Sequence, residues 1–233
     1  MIVFGKNVAK EIINSNKKIN KVYLSTNFKD KYILDNLTGC KIVKMPLKDL
    51  DKIATGNHQG IIMEIEDFKY EKLSSVYDSN FVIIMDHLED THNFGAIIRT
   101  CETAGVDAII IPKNRSVKIN STVMKVSAGA LNNVKIIEVN NLVNAIKKLK
   151  QQDFWIYGTD MENSEIYTEV KYDKKTALVI GSEGNGISRL VKDNCDFMVK
   201  IPMFGKINSL NASVAASIII YEVIRQRGIK DEL

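Results

Sequence analysis

Two stretches near the end of the chain decide the fold: ALVIGSEGNGIS at residues 177–188 and IPMFGKINSLNASVAASIIIYE at residues 201–222. In each, a short apolar run enters a loop of small residues and then a helix-forming segment. Apolar runs without an alternating polar face read as strands buried on both sides, and helical crossovers between them make a mostly parallel sheet. The loop at the carboxyl end of such a strand is where an α/β protein builds a pocket for a nucleotide-like ligand. In the second stretch Ser209, Asn211 and Ser213 place two hydroxyls and an amide at a helix start. Ala212, Ala215, Ala216 and Ser217 follow, small enough to let another backbone approach closely.

The same texture extends upstream. FVIIM at 81–85, DAIIIP at 107–112, VKIIEV at 134–139, FWIYGT at 154–159 and TALVIG at 176–181 read as strands. They alternate with helices expected over 94–104, near 121–126, over 142–150, from about 187 and over 211–227. Residues 66–80 are polar and aperiodic, with Ser74-Ser75 and Asp78-Ser79-Asn80; they read as the linker. Ahead of them helices are expected over 6–17, 32–37 and 47–53 and strands over 22–24, 41–45 and 60–65, a compact α/β pattern. The expected organisation is a small front domain at 1–70, a linker at 71–80 and a larger α/β domain at 81–233.

Composition limits the function classes. With 233 residues, 45% hydrophobic and 26% charged, the chain has the balance of an ordinary globular protein. Its apolar runs fall far short of the roughly 18–20 residues that span a bilayer, and MIVFGKNVAKEI at the start lacks a signal-peptide core; a cytoplasmic protein is expected. Cys40, Cys101 and Cys195 are odd in number and widely spaced, which predicts free buried thiols rather than a disulfide framework. His58, His87 and His92 form no His/Cys cluster, so no metal is expected. The net charge of +4 sits entirely at the front: residues 1–70 hold 12 lysines against 8 acids, whereas the remainder holds 20 of each sign. That excess is either solvated surface or a module that neutralises phosphates and steers a polyanion.

Three places could carry chemistry. In Asp90-Thr91-His92-Asn93-Phe94-Gly95, Asn93 is a good helix N-cap whatever the protein does. Arg99 lies further along that helix among Ala96, Ile97, Ile98 and Cys101 and must find an anion, either Glu102 or a substrate phosphate. The loop Gly181-Ser182-Glu183-Gly184-Asn185-Gly186 has the wrong glycine spacing for a dinucleotide fingerprint and no Gly-Lys-Ser/Thr for a Walker loop, which argues against a dehydrogenase. Glu183 in that loop would repel a bound phosphate and favours a ligand without one, such as the cationic nucleoside S-adenosylmethionine. The third place is Ile201-Pro202-Met203 with residues 209–214, which also reads simply as a capped, tightly packed helix. His58 and Gln59 either touch a ligand or close a turn, and the turn is the preferred reading.

Together with NFGAIIRT at 93–100, these motifs resemble, in order and spacing, the three signature motifs of the SpoU (TrmH-like) branch of the SPOUT RNA ribose methyltransferases, over residues 80–228. The front segment ending in NHQGI at 57–61 is similar to the small ribosomal-protein-like (L30e-like) domain of many members. PKNRS at 112–116 and VSAGA at 126–130 resemble the RlmB-like subgroup, which methylates a guanosine ribose in large-subunit rRNA; related members act on tRNA. Thr91 departs from the proline the family often has there. The resemblance implies a C-terminal domain with a deep trefoil knot, a homodimer, an RNA partner and S-adenosylmethionine as cofactor, without a metal. It places the cofactor at Thr159, Gly181, Gly186, Ile201 and Leu210, and the catalytic work at Arg99, Asn93, Glu183, Ser209 and Asn211. A catalytically silent RNA-binding protein of the same fold is the competing expectation.

Overall fold

The computed structural model describes residues 1–15 and 17–228. The chain divides into two compact units, one formed by Met1–Lys69 with Ile119–Asn132, the other by Tyr70–Lys118 with the chain from Asn133 on.

The first unit holds a four-stranded sheet in the order β1-β4-β2-β3, built from β1 (Ile2–Phe4), β2 (Ile19–Ser25), β3 (Lys41–Met45) and β4 (Ile61–Ile65). β4 runs antiparallel to β1 and β2, and β2 runs parallel to β3. Its helices are α1 (Lys6–Asn14), α2 (Lys31–Asn36) and α3 (Leu47–Ile53). The expected helix over 6–17 therefore stops earlier, and its Asn16 lies outside the described residues. The order β1, absent from the sequence expectation, is a three-residue strand too short to show a period. His58 closes the turn into β4: its buried Nδ1 accepts from Gly60 N at 3.0 Å and its Nε2 meets Asp51 Oδ1 at 2.9 Å.

The second unit holds a seven-stranded, all-parallel sheet in the order β7-β6-β5-β10-β8-β11-β9. The strands are β5 (Phe81–Asp86), β6 (Ala108–Pro112), β7 (Lys135–Val139), β8 (Trp155–Thr159), β9 (Glu165–Ile166), β10 (Thr176–Gly181) and β11 (Phe197–Lys200). Every residue of β5, β6 and β10 is buried, which is why these strands show no polar alternation. The helices of this unit are α4 (Thr91–Thr103), α6 (Leu142–Lys150), α7 (Arg189–Lys192) and α8 (Ala212–Arg227). Between α4 and α6 in the chain, α5 (Ser121–Ser127) groups with the first unit, where it packs on α1 and β1. Val82, Ile84, Ile110, Ile137 and Val179 pack with Ile146 and Leu149 of α6; each such burial is worth about 1.5–3 kcal/mol.

Residues 70–80 are more than a tether. Glu71 N donates to Ile136 O at 2.9 Å beside β7, and a single 3-10 turn, Leu73–Val76, puts Val76 wholly inside the core. No described helix is long and apolar enough to cross a membrane.

Candidate active site

Four strands end together. Gly181 at the end of β10 is in register with Asp86 at the end of β5, and on the far side Val199 of β11 is in register with Thr159 at the end of β8. In a parallel sheet the carboxyl edge is the open edge, free of the crossover helices, and the site forms there.

The loop after β10 is a closed hairpin. Ser182 and Gly186 exchange two backbone hydrogen bonds, each 3.0 Å long. The hairpin folds back so tightly that a Cβ on Gly181 would lie 2.2 Å from the carbonyl carbon of Gly186. Glycine is required at 181 by this approach of backbone to backbone. Its partner Gly186 adopts the left-handed conformation, with φ of 62°.

One face of the hairpin bounds a cavity of about 490 Å³, inside the usual range for small-ligand pockets. Thr159, Gly181, Gly186, Ile201 and Leu210 all line it, so the structure gathers the five expected cofactor residues around one space. Ser209 and Glu183 reach the same cavity. Thr159 Oγ1 donates to Val179 O at 3.1 Å, fixing that rim. Ile180, Met203 and Ile219 supply apolar wall, and Asp160 a carboxylate. Burial alone would raise the Asp160 pKa, but the ion pair with Lys192 at 2.7 Å and backbone N–H donors outweigh it and hold the carboxyl below its ordinary value. An apolar slot with backbone groups, three carboxylates and the Lys200 side chain on its wall can take a nucleoside carrying charged groups.

Glu183 joins two of the motifs. Its Oε1 accepts from Asn93 Nδ2 and, at 3.1 Å, from Asn211 Nδ2. Asn211 does this while capping α8, its Oδ1 accepting from Ser213 N at 3.0 Å and Val214 N at 3.4 Å. Asn93, expected as the cap of α4, is not the cap. Asp90 takes that position, accepting from Asn93 N at 2.7 Å. The acidic cap spends only the backbone N–H of Asn93, leaving its amide free to reach Glu183.

Arg99 and Ser209 stand apart from this cluster. The Arg99 side chain is exposed on α4 and takes no hydrogen bond or ion pair among the described residues. The internal partner considered for it, Glu102, instead accepts from Asn133 Nδ2 at 3.0 Å. The Ser209 hydroxyl is likewise exposed and has no hydrogen-bond partner among the described residues.

Sequence reasoning overlooked Asp86. This buried carboxylate accepts from Ser188 N at 2.6 Å and meets His87 Nδ1, tying the start of the segment beyond the hairpin to the end of β5. The signal was available: a charged residue closes an otherwise apolar strand. The cysteines also differ from expectation, since Cys101 is buried but Cys40 and Cys195 are only partly covered. Among the described residues no group of His, Cys, Asp and Glu is placed to hold a metal ion.

Comparison with known proteins adds an independent line. The profile described as "SpoU rRNA Methylase family" matches residues 80–221, and that described as "RNA 2'-O ribose methyltransferase substrate binding" matches residues 2–71. A protein of Staphylococcus epidermidis, assigned by name to the TrmH family of tRNA/rRNA methyltransferases, is 44% identical over 97% of this chain and 96% of its own length. Among solved structures, the TrmH/SpoU tRNA modifying enzyme of A. aeolicus is 34% identical with a TM-score of 0.59, covering 66% of this chain and 82% of that one. The SpoU methyltransferase AviRb of Streptomyces viridochromogenes, in complex with AdoMet, superposes with a TM-score of 0.80 at 21% identity, covering 97% and 90% of the two chains. At that identity the likeness speaks to the fold.

Proposed function

The chain belongs to the SpoU rRNA methylase family of RNA methyltransferases, and from that premise we propose that it transfers the methyl group of S-adenosylmethionine to a ribose 2'-hydroxyl of RNA. The observation that carries the reading is the gathering of Thr159, Gly181, Gly186, Ile201 and Leu210 around one cavity with Glu183 on its rim.

Bound there, the cofactor supplies a methyl made electrophilic by its sulfonium. The chain supplies placement and charge. Gly181 and the hairpin give the backbone surface for the nucleoside, and the carboxylate of Glu183, held by neutral amides, favours a cationic ligand over a phosphate-bearing one. Glu183, held by Asn93 and Asn211, fixes the rim against which the ribose must align for in-line attack. In the transfer the O–CH3 bond would form as the S–CH3 bond breaks, leaving S-adenosylhomocysteine, and the hydroxyl proton would pass to solvent water; negative charge develops on the oxygen as that proton departs. Arg99 stays protonated, with a pKa above about 12, and is a poor base; its part is to pair with the neighbouring phosphate and stabilise the developing alkoxide. Ser209 positions the substrate.

The finer terms of the reading are a guanosine in large-subunit rRNA as target, with tRNA as the alternative, and a trefoil knot and a homodimer as framework. PKNRS and VSAGA support the first. The packing of α8 against α4 and β10 is in keeping with the second. Phe204 and Ile207, 96% and 77% exposed, support a second copy, together with exposed Val214 and Tyr221 on α8. The lysine-rich segment at 1–70 would engage the RNA backbone.

The test has two arms. S-adenosylhomocysteine, but not NAD, should raise the melting temperature, and labelled methyl should pass from S-adenosylmethionine to RNA from a strain lacking this protein. Absence of both effects would refute the proposal.

A further inference from the structure

The Ser182–Gly186 hairpin has a second face, and a second cavity lies against it. This space of about 500 Å³ is bounded by the segment after β5, by Arg115, and by Ser182, Glu183, Asn185 and Gly186, which also line the cofactor cavity. The two cavities share these four hairpin residues, so a group seated in one lies beside the other.

The walls differ in kind. The first cavity has Ile180, Ile201, Met203 and Ile219; the second has Leu88 as its one aliphatic side chain, beside four carboxylates and one guanidinium. Most of these carboxylates are already engaged. Asp86 is held by Ser188 N and His87, Asp90 caps α4, and Glu183 accepts from Asn93 and Asn211. Glu89 and Arg115 are not: among the described residues neither takes a hydrogen bond or ion pair, and both are exposed at the cavity.

Exposed charges alone would mean little, but the backbone that carries these two is fixed. Val117 N donates to Leu88 O at 2.9 Å and Ser116 Oγ to the same oxygen at 3.4 Å, joining the two segments one residue from Glu89 and one or two from Arg115. Arg115 and His87, both on this cavity, hold left-handed backbone, with φ of 52° and 57°. Side chains other than glycine rarely adopt that conformation, and it persists where surrounding structure enforces it.

An acceptor-only carboxylate and a donor-only guanidinium facing one space select among the bases. Guanine offers N1–H and N2–H donors on one edge and O6 and N7 acceptors on another, so it can satisfy both groups. Adenine would set its N1 lone pair against the carboxylate and offers the guanidinium N7 alone, because its N6 amino group is a donor. We propose that this second cavity seats the base of the target nucleotide and reads it as guanine, Glu89 accepting from N1 and N2 and Arg115 donating to O6 and N7. The proposal rests on the methyl-transfer reading and names the specificity residues of that site.

The test titrates 5'-GMP, 5'-IMP and 5'-AMP against the full chain by saturation-transfer NMR, with S-adenosylhomocysteine affinity measured in parallel. GMP should bind roughly tenfold more tightly than AMP, with IMP, which lacks the N2 amino group, in between. Glu89→Gln should abolish or invert the preference, because a carboxamide offers one donor and one acceptor and so matches adenine. Arg115→Ala should weaken GMP more than AMP, because only guanine adds O6 to the N7 contact. If GMP and AMP bind alike, if neither binds, or if the preference survives both substitutions while S-adenosylhomocysteine still binds, the base pocket is wrong and methyl transfer stands. If wild type fails to bind S-adenosylhomocysteine, the underlying reading falls and the inference with it.

Discussion

Asn93 and Glu183, ninety positions apart in the chain, meet side chain to side chain, the amide of Asn93 donating to Glu183 Oε1. The same oxygen accepts from Asn211, so one carboxylate oxygen links the first turn of α4, the hairpin after β10 and the cap of α8. Glu183→Gln keeps the shape but replaces a charged acceptor with a neutral one. Hydrogen bonds to charged groups contribute about 1.5–3 kcal/mol each, so methyl transfer should fall by roughly ten- to a hundredfold. A double-mutant cycle with Asn93→Ala checks the link: losses that simply add would mean the two side chains act independently.

Gly181→Ala should be far more damaging than its one carbon suggests. The new Cβ would meet backbone, not a movable side chain, at 2.2 Å. The hairpin must open, and affinity for S-adenosylhomocysteine should drop at least tenfold by calorimetry. Gly205→Ala is the control, since nothing lies within 4 Å of a Cβ there; equal losses at both positions would remove close packing as the reason.

Glu222 lies buried on α8, accepting from Arg225 Nε and Nη2 at 2.8 and 2.7 Å and from Gln226 Nε2 at 2.8 Å. The Arg225 hydrogen bonds, more than Gln226, hold its carboxyl below the ordinary range against the opposing effect of burial. A carboxyl depressed in the folded state stabilises it above the unfolded pKa and loses that contribution as pH falls through the folded one. Wild type should therefore melt well above Glu222→Gln at about pH 6, with the gap closing toward about pH 3. A gap that stays constant would contradict this.

Cys195 is only partly covered, yet burial pushes its thiol up to about 12, and its Sγ donates to Val191 O at 3.4 Å. Burial also raises the enclosed Cys101 strongly. In the native protein iodoacetamide should label neither at mildly alkaline pH, and both should react once the chain is unfolded. Mass mapping of the alkylated peptides decides it.

How much of this was legible in the sequence depends on the range of the interaction. β5, β6 and β10 were readable because burial on both faces leaves an unbroken apolar run. β9 was not, being two residues long. The helical pattern over 121–126 foretold α5, but periodicity says nothing about which unit a helix packs on. Asp90 and Asn93 are both good caps three residues apart, and only the geometry shows that the acid caps and the amide reaches Glu183. The resemblance named five expected cofactor residues; that these surround one cavity is a fact of register at the sheet edge. Arg115 stands in PKNRS, but nothing in that run says that it faces a cavity, and Glu89 had no local pattern to mark it.

Arg99 gives the most direct measurement. It is exposed and pairs with nothing among the described residues, so Arg99→Ala should change stability by no more than about 0.5 kcal/mol and leave S-adenosylhomocysteine binding intact. RNA incubated with labelled S-adenosylmethionine and either protein is hydrolysed in alkali, which spares only the linkage following a 2'-O-methylated ribose. The account predicts labelled, alkali-resistant dinucleotides with wild type and their near-complete loss with Arg99→Ala. Label released as mononucleotides, marking a base rather than a ribose, or undiminished transfer by Arg99→Ala, would contradict it.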